Sequence, residues 1–236
     1  MCKDILTVIT GSQLHGLSTP ESDTDYRGVF VNDVRDIVNP FEKPPEKRFV
    51  EGKTADDTAS ELRKFVKEII SGSPNAVEIL YSNRIVYEGT TVLGIVMRDN
   101  REKFIDTAEV FKAYKKYAEN QLNKMSLFEP DERTPKFAVA YIRSLLNGIE
   151  LLRDGTITNP LPELFTLSSG EEIAPLAVLK AIKFCPFAEF GTVQPMATEL
   201  FSKLQVELGK VFYRQKPKGA DTDFIIRFCR RAYNVS

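Results

Sequence analysis

The sequence predicts an α+β protein, with a short mixed sheet and its helices first and a helical domain after it. Three observations carry that expectation. From residue 1 to about 90, short β-branched apolar runs alternate with turns rich in Gly and Pro. From about residue 90 onward, apolar residues recur at helical spacing over long stretches. Near the start, Gly11-Ser12 follows the first apolar run, and after ten intervening residues Asp23-Thr24-Asp25 leads into the second. The 236 residues suffice for one large domain or two modest ones. The expected division is a small α/β domain over 1–95 and a helical domain over 96–236, with the change of texture falling between 90 and 107.

Each element follows from its pattern. Ile5 to Thr10 reads as a buried strand, and Gly11 to Gly16 as a small-residue turn opening one helical turn. The free backbone N–H groups of such a turn suit phosphate. Asp23 to Val31 reads as the second strand. Side chains alternate along a strand, so Asp23 and Asp25 share a face. Two carboxylates beside a phosphate cradle suit divalent cations carrying a nucleoside triphosphate. Phe41 to Arg48 is a polar, proline-bearing loop. Phe49 to Thr58 offers a third strand containing Asp56 and Asp57. Ser60 to Ile70 is an amphipathic helix stopped by Gly72 and Pro74. Asn75 to Tyr81 gives another turn or two of helix, followed by a short edge strand near Ile85.

Helices are predicted over Thr91–Ile105 and Thr107–Met125, the second with Ala108, Phe111, Tyr114, Ala118, Leu122 and Met125 on one face. Glu129 to Pro135 is a loop. Lys136 to Asp154 is the most regular helix, with Phe137, Tyr141, Leu145, Ile149 and Leu152 as its core stripe and Gly155 as its stop. Further helices are expected over Ala174–Lys183, Met196–Arg214 and Thr222–Tyr233.

Composition excludes several classes. The 32 basic and 33 acidic residues leave no charge footprint of a dedicated nucleic-acid binder. Cys2, Cys185 and Cys229 are too scattered for a disulfide framework or zinc site and read as reduced thiols. His15 is the only histidine, which argues against His-rich metal centres and a Ser-His-Asp triad. No apolar run approaches the roughly 20 residues that span a bilayer, and the first residues lack a signal-peptide layout. A cytoplasmic protein without a membrane partner is expected.

Gly11-Ser12, the spacing to Asp23-Thr24-Asp25 and the preceding strand resemble the signature of the DNA polymerase β-type nucleotidyltransferases. The fuller string through Arg27-Gly28 is similar to one subgroup, predicted nucleotidyltransferases common in phages and in some bacterial RNA-repair operons. Glu61-Leu62-Arg63-Lys64-Phe65, Ser73-Pro74-Asn75 through Leu80, and Lys136 through Gly155 resemble that subgroup's later segments, with Ser73 replacing the usual Asn. The resemblance covers residues 9 to 155.

It implies transfer of a nucleoside monophosphate from a nucleoside triphosphate to an acceptor hydroxyl, with release of pyrophosphate and with Mg²⁺ or Mn²⁺ as cofactor. Asp23 and Asp25 would hold the metals, joined by a third carboxylate from a neighbouring strand. Counting back from Glu61, Asp56 falls on the matching position; Asp57, facing the other side, is the alternative. Gly11 and Ser12 would bind phosphates, and Arg27 would neutralise a carboxylate or touch phosphate. Lys136 and Arg143 share one stripe of their helix with Ala140 and Asn147 and would close the phosphate end from the helical domain, as the far wall of a cleft. The favoured acceptor is an RNA 3′ end, with tRNA included. The alternatives are a protein or small-molecule acceptor, or a nucleotide-binding protein without turnover.

Asp221-Thr222-Asp223 repeats the tripeptide but precedes an amphipathic run, so it reads as a helix N-cap. The basic residues from Lys210 to Arg231, interleaved with Phe212, Tyr213, Phe224 and Phe228, admit an RNA-contact reading. At helical spacing, however, those aromatics read first as core.

Overall fold

The computed structural model describes residues 2–50, 53–54, 56–127 and 133–235. The chain forms two compact units. One comprises Met1–Leu14, Ser18–Asp106 and Gly219–Ser236; the other comprises His15–Leu17 and Thr107–Lys218. The fold is α+β, a small mixed sheet with many helices.

The first unit is built on a four-stranded sheet in the order β1-β2-β4-β3, where β1 is Lys3–Thr10, β2 Asp25–Val31, β3 Lys47–Phe49 and β4 Thr58–Glu61. β1 runs antiparallel to β2, with a register shift between Asp4 and Leu6. β2 runs parallel to β4, Arg27 opposite Thr58, and β4 runs antiparallel to β3, Phe49 opposite Thr58. Strand alternation puts Asp25, Arg27, Val29 and Val31 on one face of β2 and Tyr26, Gly28 and Phe30 on the other. On that second face Phe30, Val50 and Ala59 form a small core, with Cys2 and Tyr26 packed against it.

The short helix α1 (Gly11–His15) follows β1 directly, and α2 (Val34–Val38) follows β2 after Asp33 caps it through the Arg35 amide. α3 (Leu62–Ile70) packs on β2 and β4 through Leu62, Phe65, Val66 and Ile69. Burying side chains of this size contributes about 1.5–3 kcal/mol each. α4 is Pro74–Tyr81 and α5 is Val92–Asp99.

Three sequence expectations shift here. The described residues do not form the strand expected over 49–58: β3 ends at Phe49, β4 begins at Thr58, and the Val50 amide donates to the Asp57 carbonyl at 2.9 Å, while residues 51, 52 and 55 lie outside the described residues. Low apolar content and adjacent turn-forming acids let a turn win over an extended strand. The helix expected from Ser60 starts at Leu62, because Ser60 and Glu61 belong to β4 and the Glu61 carboxylate caps the helix by accepting from the Arg63 and Lys64 amides. The predicted edge strand near Ile85 is a single bridge from Ile85 to Val8.

The last helix, α10 (Thr222–Tyr233), belongs to the first unit. Phe104 meets Phe224 and Phe228 edge-on at 5.8 and 5.7 Å, and the Tyr233 hydroxyl donates to the Glu61 carboxylate. Burial first, and this hydrogen bond second, push the Tyr233 phenol well above its usual range.

The second unit contains α6 (Thr107–Leu127), α7 (Thr134–Asp154), α8 (Pro175–Phe184), α9 (Phe190–Arg214) and a two-stranded ribbon of β5 (Phe165–Thr166) and β6 (Glu172–Ile173). Tyr141, Leu145, Ile149 and Leu152 are buried along α7, as its stripe predicts. Gly155 ends the helix at φ 69°, a left-handed conformation that glycine adopts without a Cβ penalty. The Met125 side chain and residues 129–132 of the expected loop lie outside the described residues. Phe111 stacks on Phe212 at 4.2 Å, so Phe212 too is packed against protein.

Candidate active site

The site starts from the hinge between β1 and α1. Gly11 has φ +67°, and a Cβ built there would run into the Asp25 carboxylate. The residue is therefore glycine for two reasons: left-handed backbone, and an acidic side chain seated against its Cα. Two further contacts join the turn to the acidic strand. Thr10 Oγ1 donates to the Asp25 carbonyl at 3.5 Å, and Gln13 Nε2 donates to Thr24 Oγ1 at 2.6 Å. The Gly11-Ser12 and Asp23-Thr24-Asp25 segments, separate in sequence, thus form one structural unit.

Asp25 opens onto a cavity of about 310 Å³ on the face of the sheet that carries Arg27. β4 contributes Thr58 and Ser60, β3 contributes Lys47, and the α3–α4 region contributes Glu68, Ser73, Asn75 and Glu78. The Gly11 amide donates to Glu78 Oε1 at 3.5 Å, so Asp25 and Glu78 flank the same peptide. Carboxylates and hydroxyls are hard oxygen donors, a set that suits Mg²⁺ or Mn²⁺. Among the described residues no group of three or more His, Cys, Asp or Glu side chains is gathered to hold a metal ion. Mg²⁺ is commonly bound by one or two carboxylates with substrate phosphates completing its shell, so the donor set fits such an ion arriving with its nucleotide.

The other site residues take distinct places. Asp23 is exposed in the segment leading into β2, and Ser12 is half-buried on α1. Asp56 is exposed two residues before β4. Its neighbour Asp57 is buried and accepts from the Tyr26 amide at 2.6 Å, the Thr54 amide at 3.0 Å and the Thr54 hydroxyl at 2.8 Å. Burial opposes the Asp57 charge, but those donors and Arg27 hold its carboxyl below the usual carboxylate range. Arg27 Nη1 donates to the carbonyls of Tyr26 and Asp56 at 2.8 and 2.9 Å and lies 4.0 Å from Asp57 Oδ1. It clamps the turn that carries both acids. Lys136 is exposed and Arg143 half-buried on α7, within the second unit. His15, at the end of α1, is buried and groups with the second unit.

Sequence reading assigned no role to Lys47, Glu68 or Glu78. Glu78 stands within the Ser73–Leu80 stretch whose resemblance was noted, so its signal was present, but its approach to Gly11 depends on packing across 67 positions.

A profile of the RNA repair pathway DNA polymerase beta family matches residues 3–184. The chain belongs to that family. It is also 28% identical over 131 residues to an uncharacterized 38.9 kDa protein from the nrdC–mobD intergenic region of Enterobacteria phage T4. That match takes in 52% of this chain and 38% of the phage protein, so the chain spans about two fifths of the length of that relative. No solved structure matches. Among the described residues no helix is long and apolar enough to cross a membrane.

Proposed function

We propose that this chain transfers a nucleoside monophosphate from a nucleoside triphosphate to the 3′ hydroxyl of an RNA, releasing pyrophosphate. The observation that carries the reading is the Asp25 carboxylate seated against Gly11 at the mouth of an oxygen-lined cavity. Family membership supports the reaction class, and the RNA-repair description of the family supports the acceptor.

In this reading the catalytic machinery lies within residues 1–95. Asp25, joined by Asp23 and Asp56, would hold a divalent cation, Mg²⁺ or Mn²⁺, which would neutralise phosphate charge. The Gly11-Ser12 turn receives phosphate oxygens through its amides and the Ser12 hydroxyl. Asp56 takes the proton of the acceptor hydroxyl. The acceptor oxygen bonds to the α-phosphorus as the bond to the bridging oxygen breaks, and pyrophosphate leaves with that electron pair. Arg27 keeps the Asp56 turn in place through its bond to the Asp56 carbonyl.

The test incubates the protein with each α-³²P nucleoside triphosphate, Mg²⁺ or Mn²⁺, total RNA and cell lysate, beside the Asp23→Ala/Asp25→Ala double variant. Label in RNA that disappears in the variant is the expected result and identifies the base. Label in a protein band instead would move the acceptor from RNA to protein. Label unchanged in the variant would overturn the site.

A further inference from the structure

Resting on that reading, we infer that Phe49 and Lys47 of β3 form a nucleobase-stacking subsite of the active centre, with Phe49 as the platform and Lys47 as its phosphate-facing cation.

Three observations meet there. Phe49 is 65% exposed, although phenylalanine ordinarily buries, and β3 is an edge strand where exposed apolar surface is a liability. It takes no part in the core beside it: Phe30, Val50 and Ala59 lie on the opposite face, to which Val50, its chain neighbour, is directed. The pairing register fixes the face Phe49 does occupy. It stands opposite Thr58, which stands opposite Arg27; Lys47 stands opposite Ser60, which stands opposite Val29. Thr58, Ser60, Arg27 and Lys47 all line the Asp25 cavity, so Phe49 shares the cavity's face one alternation beyond Lys47. Among the described residues, neither side chain is engaged in an ion pair or ring contact.

An exposed aromatic beside a cation, on the face of a phosphate-transfer site, has the chemistry of a base-stacking platform. Every base offers a π-face, and the cation meets the backbone or the phosphate chain. The back-face aromatics lack that opening, because Lys53 covers the Tyr26 ring at 4.1 Å and Arg48 covers the Phe30 ring at 4.8 Å. The stacked base belongs either to the nucleoside triphosphate or to the acceptor RNA, and the experiment separates these.

The chain contains no tryptophan, so Phe49→Trp places a single indole reporter at the platform. Its fluorescence is titrated with each nucleoside triphosphate, with a short oligoribonucleotide and with inorganic tripolyphosphate, which has no base. Transfer by the same variant is followed in parallel. Quenching by nucleotides, or by the oligoribonucleotide alone, but not by tripolyphosphate, is expected and names the source of the base. Phe49→Ala should weaken that ligand roughly 10- to 100-fold, the range for one lost base stack, and Lys47→Ala should weaken it less. No quenching by any base-bearing ligand, or equal quenching by tripolyphosphate, in a protein that still transfers label overturns the subsite and leaves the reaction standing. Quenching without transfer by the wild-type protein would keep the subsite and overturn the reaction.

Discussion

Asp23-Thr24-Asp25 and Asp221-Thr222-Asp223 are the same tripeptide put to different uses by backbone context. The first leads into a strand, and Asp25 lies against Gly11 at a cavity lined by hydroxyls and acids. The second leads into α10, and Asp221 Oδ1 accepts from the Phe224 amide at 2.9 Å as a helix N-cap. Asp223 then lies in the first turn, where a negative charge complements the helix dipole. The difference teaches that an Asp-x-Asp acquires chemical meaning from what precedes it: a strand and a Gly-Ser turn in one case, a Lys-Gly-Ala loop in the other. Asp56 and Asp57 repeat the lesson at closer range. One step along the chain separates an exposed carboxylate from a buried one whose oxygens are committed to backbone and Thr54.

The comparison can be broken in descending order of effect. Asp25→Ala should lower nucleotidyl transfer by about a thousandfold or more, since it removes a charge required in the transition state; the steady-state rate of label incorporation checks this. Asp56→Ala should approach that loss, whereas Asp57→Asn should retain activity in its folded fraction. Gly11→Ala combines left-handed strain with a collision against Asp25, so both folding and transfer should suffer, with a loss of at least about 1 kcal/mol in denaturant unfolding.

Asp57→Asn should cost about 1–3 kcal/mol by weakening bonds to buried donors. Its pH dependence has a definite sign. The folded carboxyl is depressed, so its contribution is present above the unfolded value of about 3.9 and is lost as pH falls through the folded one. The stability gap between wild type and Asp57→Asn should therefore be full near neutrality and close in acid. Asp221→Ala is the smallest effect: about 1 kcal/mol of stability from a lost cap, read as a lower Tm, with transfer unchanged.

Much of the first 31 residues was legible, because period-two alternation and a Gly-Ser turn are local signals. So was the Asp221 cap, a local hydrogen bond. The β3–β4 hairpin was not, since Phe49 to Thr58 carries too few apolar residues to show where extension ends. The acids Glu68 and Glu78 and the cation Lys47 join the cavity only through tertiary packing, which no spacing reports. The grouping of α10 with the first unit rests on Phe224, Phe228 and Tyr233 meeting Phe104 and Glu61 more than a hundred residues away. At the level of sequence Phe224 and Phe228 read first as core, with RNA contact as the second reading.

The most direct measurement sets the two tripeptides side by side: pyrophosphate release from a nucleoside triphosphate, with RNA and Mg²⁺ or Mn²⁺, by wild type, Asp25→Asn and Asp223→Asn, each confirmed folded by circular dichroism. The account predicts release by wild type and Asp223→Asn and none above background by Asp25→Asn. Equal release by all three folded proteins would contradict it.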